Sequence, residues 1–501
     1  MKKILNVLLI LPILLLIISG DNRGIAKQKV WDSSKEIDSL IESKMKKGKI
    51  PGLAIVLIKD EEVYKKAYGY ADTDLKVPVT TSTYFELGST TKAFTALAIL
   101  KLANEGIINL NDNINKYIPS LDINHKGEKV NISVNELLQH TSGISFYQFA
   151  SLSISNNKNN LERDLESKPI TLVNSPGASF NYSSINYDIL GLLIQKVTRK
   201  SYEEYIEGEL LPSIGLKNTF VDPEKIPDSM LATGYKTVFF SPSKYVAPTY
   251  KSNVPAGYLY SNINEFEKWI KFHLHNESNI FLKLNKELSI FKTDFRIEGN
   301  IFYGYGWYIE KQGHKNTYYH RGDNPNYSSY ISFIPEEGLG VAVLTNVSSD
   351  FTDNIGESIL NIVRKKTIVE DIKDTNMNYG KVLFGISIFL CITLTLLLAF
   401  TIRLVRQIIY RERIFIKKHL CFILLNIILT ISVIYSFSIL PNLLDQNISW
   451  GFLVVWLPTG LQFTLLIALL NVIVIFIYLQ ITLFSKKVIL ERGNIYKWES
   501  R

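Results

Sequence analysis

The sequence predicts an α+β domain whose sheet draws on both chain ends, followed by a membrane segment of three helices. Strand-like stretches lie at the two ends of the first two thirds of the chain, with helical and irregular stretches between them. One of those helices has no polar face, the composition of an element buried mid-domain. Three uncharged runs of about 20 residues fall in the last quarter. At 501 residues, 47% of them hydrophobic, the chain is too long and too apolar for a single soluble domain.

The elements follow in order. Met1–Lys3 is basic and Ile4–Ser19 is an apolar run broken only by Asn6 and Pro12, so residues 1–26 read as a secretory signal or an N-terminal anchor. Gly20, or Gly24 and Ala26, offer cleavage sites, and no cysteine follows to carry a lipid. Ser34–Lys47 sets Ile37, Leu40, Ile41 and Met45 at helical spacing before Pro51-Gly52. Leu53–Ile58 and Val63–Tyr70 read as strands joined by the charged turn Asp60-Glu61-Glu62. Thr90–Asn104 is the helix that is apolar on nearly every side. Near the end, Tyr303–Glu310, Thr317–His320, Ser328–Pro335 and Gly340–Asn346 read as successive strands and Thr352–Lys366 as a closing amphipathic helix. The domain therefore covers 27–368, with a polar linker at 369–380 and a membrane domain at 381–501, its spans at about 382–402, 420–440 and 460–484.

Charge and cysteine usage narrow the function. Of the formal net charge of +8, +7 falls after residue 400, so the large domain is nearly neutral and offers no basic surface for nucleic acid. The loop after the first span holds Arg403, Arg406, Arg411, Arg413, Lys417 and Lys418, and the tail holds Lys486, Lys487, Arg492, Lys497 and Arg501. The loop after the second span has only Asp445. The positive-inside rule then predicts a multi-pass plasma-membrane protein with a cytoplasmic C-terminus and the large domain outside. Cys391 and Cys421 both lie in apolar runs, which leaves the globular part without a disulfide or a thiolate metal site. His273 and His275 are two apart on a helix and diverge, so no metal site is expected there. No metal and no cofactor are expected.

The segment Gly88-Ser89-Thr90-Thr91-Lys92 carries the chemistry. Ser and Lys three apart at a helix start share one face. A hydroxyl needs a base before it attacks, and a desolvated lysine amine can be one. The helix start also supplies N–H groups for an oxyanion. The competing reading is a plain helix cap. Ser43/Lys46, Ser155/Lys158, Ser241/Lys244 and Ser289/Lys292 repeat the spacing, but only Ser89 opens a buried helix.

Further motifs surround it: Glu86-Leu87-Gly88-Ser89-Thr90-Thr91-Lys92, Leu137-Leu138-Gln139-His140-Thr141-Ser142-Gly143, Pro176-Gly177, Tyr182-Ser183-Ser184-Ile185-Asn186-Tyr187, Pro255-Ala256-Gly257-Tyr258-Leu259-Tyr260-Ser261 and His320-Arg321-Gly322. In this order they resemble the penicillin-recognising serine hydrolases of the class C β-lactamase-like branch, which includes D,D-peptidases, D-aminopeptidases and esterases. The resemblance implies an antiparallel sheet flanked by helices plus an all-helical lobe. It implies Ser89 as the acylated nucleophile and Lys92 with Tyr182 as the proton-shuttling pair. His320-Arg321-Gly322 would line the opposite wall, the backbone N–H groups of Ser89 and Asp323 would form the oxyanion hole, and His140 would be structural.

Two departures stand out. The family's Tyr-x-Asn motif ends here in Ser184, which has no amide for the substrate, and Tyr260-Ser261-Asn262 is a rival match. His320 replaces a lysine, and a partly charged histidine holds a substrate carboxylate less firmly. This favours a D-amino-acid peptidase, amidase or esterase over a penicillinase. The expected partners are a small-molecule or peptide substrate, such as cell-wall peptides or β-lactams, and membrane lipid. The alternative is a sensor or accessory protein that binds wall peptides or is acylated without turnover.

Overall fold

The computed structural model describes residues 33–152, 160–275, 297–368, 372–416, 420–443 and 448–488. The apolar run at 1–26 and the pairs Ser155/Lys158 and Ser289/Lys292 lie outside them.

An eight-stranded antiparallel sheet forms the spine. Its strands are β1 (Gly52–Lys59), β2 (Glu62–Asp72), β3 (Val77–Pro78), β4 (Ile301–Gly304), β5 (Trp307–Gln312), β6 (Lys315–Asn324), β7 (Tyr327–Ile334) and β8 (Leu339–Thr345), in the order β4-β5-β6-β7-β8-β1-β2-β3. The two chain ends meet where β1 pairs with β8, Leu53 opposite Thr345 and Lys59 opposite Leu339. These two strands read as unbroken apolar runs because both faces are covered. On one face Leu53, Ile55, Leu57, Val341 and Val343 pack against helices α1 (Ser34–Gly48) and α5 (Phe351–Val363). On the other, Ala54, Val56, Ile58, Ala342 and Leu344 join the larger core with α2 (Lys92–Asn104), α3 (Ser184–Thr198) and α4 (Ile263–His275). Alternation along β1 thus divides one strand between two cores.

The expected strand Tyr303–Glu310 is two strands, split by a turn at Tyr305-Gly306 where both residues have positive φ. Gly306 has no room for a side chain, since a Cβ would lie 2.5 Å from the Ala93 Cα. The strand expected to end at His320 continues to Asn324 because Gly322, Asp323 and Asn324 keep pairing with β7. The helix expected from Thr90 opens with a 3₁₀ turn, Gly88–Thr91, before α2.

Among the described residues three helices are long and apolar enough to cross a membrane: α6 (Thr375–Ile409), α7 (Leu420–Ile439) and α9 (Gly460–Phe484). The short α8 (Trp450–Trp456) lies between the last two. The expected linker at 369–380 is shorter than the sequence suggested, because α6 begins at Thr375. Asp374 caps it, accepting the Met377 N–H at 2.9 Å, and the same carboxylate accepts the Ser349 hydroxyl at 2.6 Å. Helices α6 and α9 pack along each other through Ser387–Thr464 at 2.8 Å and through Asn471, which donates to the Leu390 carbonyl at 3.0 Å.

Candidate active site

Ser89 sits at the head of α2 because the preceding residues are pinned from three sides. The Leu87 carbonyl accepts the Ser329 hydroxyl of β7 at 2.6 Å, and the Leu87 N–H donates to the Leu259 carbonyl at 2.8 Å. Gly88 turns the chain at φ +56°, with its backbone against β6: a Cβ there would meet the Asp323 nitrogen at 2.6 Å. Gly322 is just as constrained, since its Cβ would lie 2.0 Å from the Leu87 carbonyl oxygen. The backbones of Gly88-Ser89 and Gly322-Asp323 are therefore held side by side.

Lys92 is fully buried one turn on. Its Nζ lies 3.0 Å from Ser89 Oγ, 3.3 Å from Ser184 Oγ and 2.9 Å from the Ala256 carbonyl oxygen. Burial drives its pKa from the ordinary 10.5 down to about 7, against the opposing pull of buried Asp188. The Ala256 carbonyl and Asp188 were not singled out in the sequence. The signal for Asp188 is a lone carboxylate beside the apolar run Ile189–Ile194 of α3.

The structure brings Tyr182 to this centre and leaves Tyr260 out. The Tyr182 ring centroid is 5.1 Å from Lys92 Nζ, and its phenol interacts with Ser89. Tyr260 instead donates to the buried Glu86 at 2.5 Å. The Glu86 carboxyl, also held by Asn324, is pushed up to about 7 by burial. The neighbouring amine does not ease the Tyr182 phenol toward ionisation. Burial, with the rings of Tyr308, Tyr303 and His140 around it, holds its pKa well above the ordinary value.

His320 also departs from expectation. It is buried, with Nδ1 2.6 Å from the Arg321 carbonyl oxygen and Nε2 3.2 Å from the Tyr303 hydroxyl. Burial and the nearby Lys92 lower its pKa to about 3, so the ring is neutral rather than partly charged. The charge of Arg321 is on the other face of the strand, in ion pairs with Asp323, Asp350 and Asp353. Ser184, read as a substrate contact, faces Lys92. His140 Nδ1 accepts from the Ser183 N–H at 3.2 Å and pairs with Asn186 Nδ2 at 2.8 Å, beneath the Tyr182 ring. Among the described residues no cluster of His, Cys, Asp and Glu could hold a metal.

A family model described as beta-lactamase matches residues 37–361. Protein flp of Staphylococcus aureus strain MW2 is 33% identical over 474 residues, covering 90% of this chain and 92% of that protein. A beta-lactamase of Pseudomonas fluorescens is 26% identical over 352 residues, 63% of this chain and 94% of that one. Among solved structures, the octameric penicillin-binding protein homologue from Pyrococcus abyssi aligns with a TM-score of 0.57 and 30% identity, over 70% of this chain and 81% of that one.

Proposed function

Since the chain belongs to the beta-lactamase family, we propose that it is a membrane-anchored, extracytoplasmic serine hydrolase working through an acyl-enzyme on Ser89. One observation carries the reading: the Lys92 amine, dehydrated and 3.0 Å from the Ser89 hydroxyl, is oriented by two other acceptors. A neutral amine has two hydrogens and one lone pair. The Ala256 carbonyl can only accept, and Ser184 Oγ takes the second N–H, so the lone pair is left for the Ser89 proton.

In the proposed cycle Ser89 Oγ attacks the substrate carbonyl as its proton passes to Lys92. The N–H groups of Ser89 and Asp323 hold the oxyanion. The Tyr182 phenol, protonated in the resting enzyme, relays a proton to the leaving group and is replenished from Lys92. Water then cleaves the acyl-enzyme along the reverse path. Because His320 is neutral and Arg321 is paired away from the nucleophile, a substrate carboxylate meets no cation from β6. Esters and amides of peptide type therefore suit the site better than penicillins.

The membrane orientation has its own support. The loop after α6 and the chain after α9 pair as short strands, Arg413 opposite Lys487, so they lie on one side. The enzyme domain enters α6 from the other side. Steady-state hydrolysis of a chromogenic ester by the full chain tests the proposal. Turnover lost in Ser89→Ala supports it, whereas one stoichiometric burst with no further product would favour a non-turnover sensor.

A further inference from the structure

The segment between α7 and α9 reaches the wall of the site. Ile448, Phe452 and Val455 are buried in the same apolar cluster as Phe149 and Tyr250 of the enzyme domain, with Tyr182 packed against it. Phe149 lies between the two parts of the chain, its ring 5.1 Å from Phe452 and 5.4 Å from Trp456. On its other side it is 6.0 Å from Phe146, a half-exposed ring on the surface of the wall that is 6.5 Å from Tyr182. The backbone follows the same route: the carbonyl of Ser145, which precedes the 3₁₀ turn Phe146–Ser151 that carries Phe149, accepts the hydroxyl of Ser183, the neighbour of Tyr182, at 2.9 Å.

We propose that α8 is a working part of the catalytic wall: it seats Phe149 and through it holds Tyr182 in register with Ser89 and Lys92. This rests on the hydrolase reading above. The contact is built to persist. Lys236 inserts its amine into the end of α8, donating to the carbonyls of Val454 and Val455 at 2.7 Å each. Those groups have no partner within a helix that stops at Trp456. Burial lowers the pKa of this lysine to about 8, and the two carbonyls take the place of the water it gives up. The Thr459 N–H adds a bond to the Thr237 carbonyl at 2.9 Å. The role of Phe452 and Trp456 is positioning, since neither touches the reacting atoms. Close-packed interiors transmit a void as displacement, and small misplacements of a proton relay are costly.

The test uses the full chain in detergent micelles, comparing wild type, Ser89→Ala, Phe452→Ala and Phe452→Leu. A fluorescent fluorophosphonate reads the amplitude and rate of Ser89 labelling, and an ester reads kcat and KM. Amplitude counts folded sites and rate reports positioning. Expected for Phe452→Ala is full amplitude with labelling rate and kcat down about tenfold, KM within about twofold, and most of the rate recovered in Phe452→Leu. Wild-type rates in Phe452→Ala would overturn the proposal, as would amplitude falling with no change in rate. Should Phe452→Ala yield no folded protein, Trp456→Leu takes its place with the same two outcomes. A wild type that labels no better than Ser89→Ala would instead overturn the hydrolase reading, and this inference with it.

Discussion

Lys92 concentrates the conflict between stability and chemistry. Unfolded, its amine titrates near 10.5; folded, near 7. Between those values the unfolded chain binds the proton and the folded chain does not, so stability rises with pH across that window. The penalty is fully present below about pH 7 and disappears above about 10.5. Lys92→Met should abolish Ser89 acylation and raise the melting temperature. The net gain, on the order of 2 kcal/mol at neutral pH, follows from a desolvation relief of roughly 5 less the cost of stranding the Ala256 carbonyl. Calorimetry at pH 6 and 9 checks it, the gain being larger at pH 6. Equal melting temperatures at pH 6 would contradict the buried-amine account. The two tyrosines separate by the same logic: Tyr182→Phe should lower acylation at least about a hundredfold. Tyr260→Phe should leave it nearly unchanged and show its effect in stability, because Glu86 loses its donor. A larger acylation loss in Tyr260→Phe than in Tyr182→Phe would reverse the assignment.

At the scale of elements, the junction of the 3₁₀ turn Gly88–Thr91 with β6 sets the spacing of the two backbone N–H groups proposed to hold the oxyanion. Gly88→Ala combines a positive φ with a Cβ 2.6 Å from the Asp323 nitrogen, and neither backbone can give way. It should destabilise the fold by more than about 2 kcal/mol and lower kcat of whatever folds. Denaturant melting with ester turnover reads both, and a stable variant with wild-type kcat would refute the close apposition. The same elements explain what the sequence could tell. Runs such as Leu53–Ile58 and the largely apolar α2 announce themselves by composition, because burial on nearly every side leaves few polar residues to blur the pattern. The turn at Tyr305-Gly306 is hidden because it depends on a partner distant in the chain, Ala93, and the extension of β6 because it depends on the register of its hairpin with Ser328 and Ser329. His320 shows the same limit. Its identity was plain, but its neutral state is set by the packing of Tyr303 and Tyr308 around it.

For the whole molecule, the enzyme domain and the helices are joined more closely than a tether requires. Asp374 caps α6 while bonding Ser349, and the turn residue Phe239 packs against Gly380, Gly460 and Phe384. If the domain faces outward, a cysteine at the exposed Val246 should react with an impermeant maleimide on intact cells, and one at Arg411 only after lysis. The reverse pattern would invert the topology. The proposal as a whole depends on an amine that is neutral near pH 7 and aimed at one hydroxyl. The pH dependence of Ser89 labelling by a fluorophosphonate, read on the intact protein by mass, tests this most directly. The account predicts one adduct, absent in Ser89→Ala, whose rate is half-maximal near pH 7 and level above about pH 8. A rate that is flat from pH 5 to 9 (roughly two units either side of the amine's pKa), or an adduct that survives in Ser89→Ala, would contradict it.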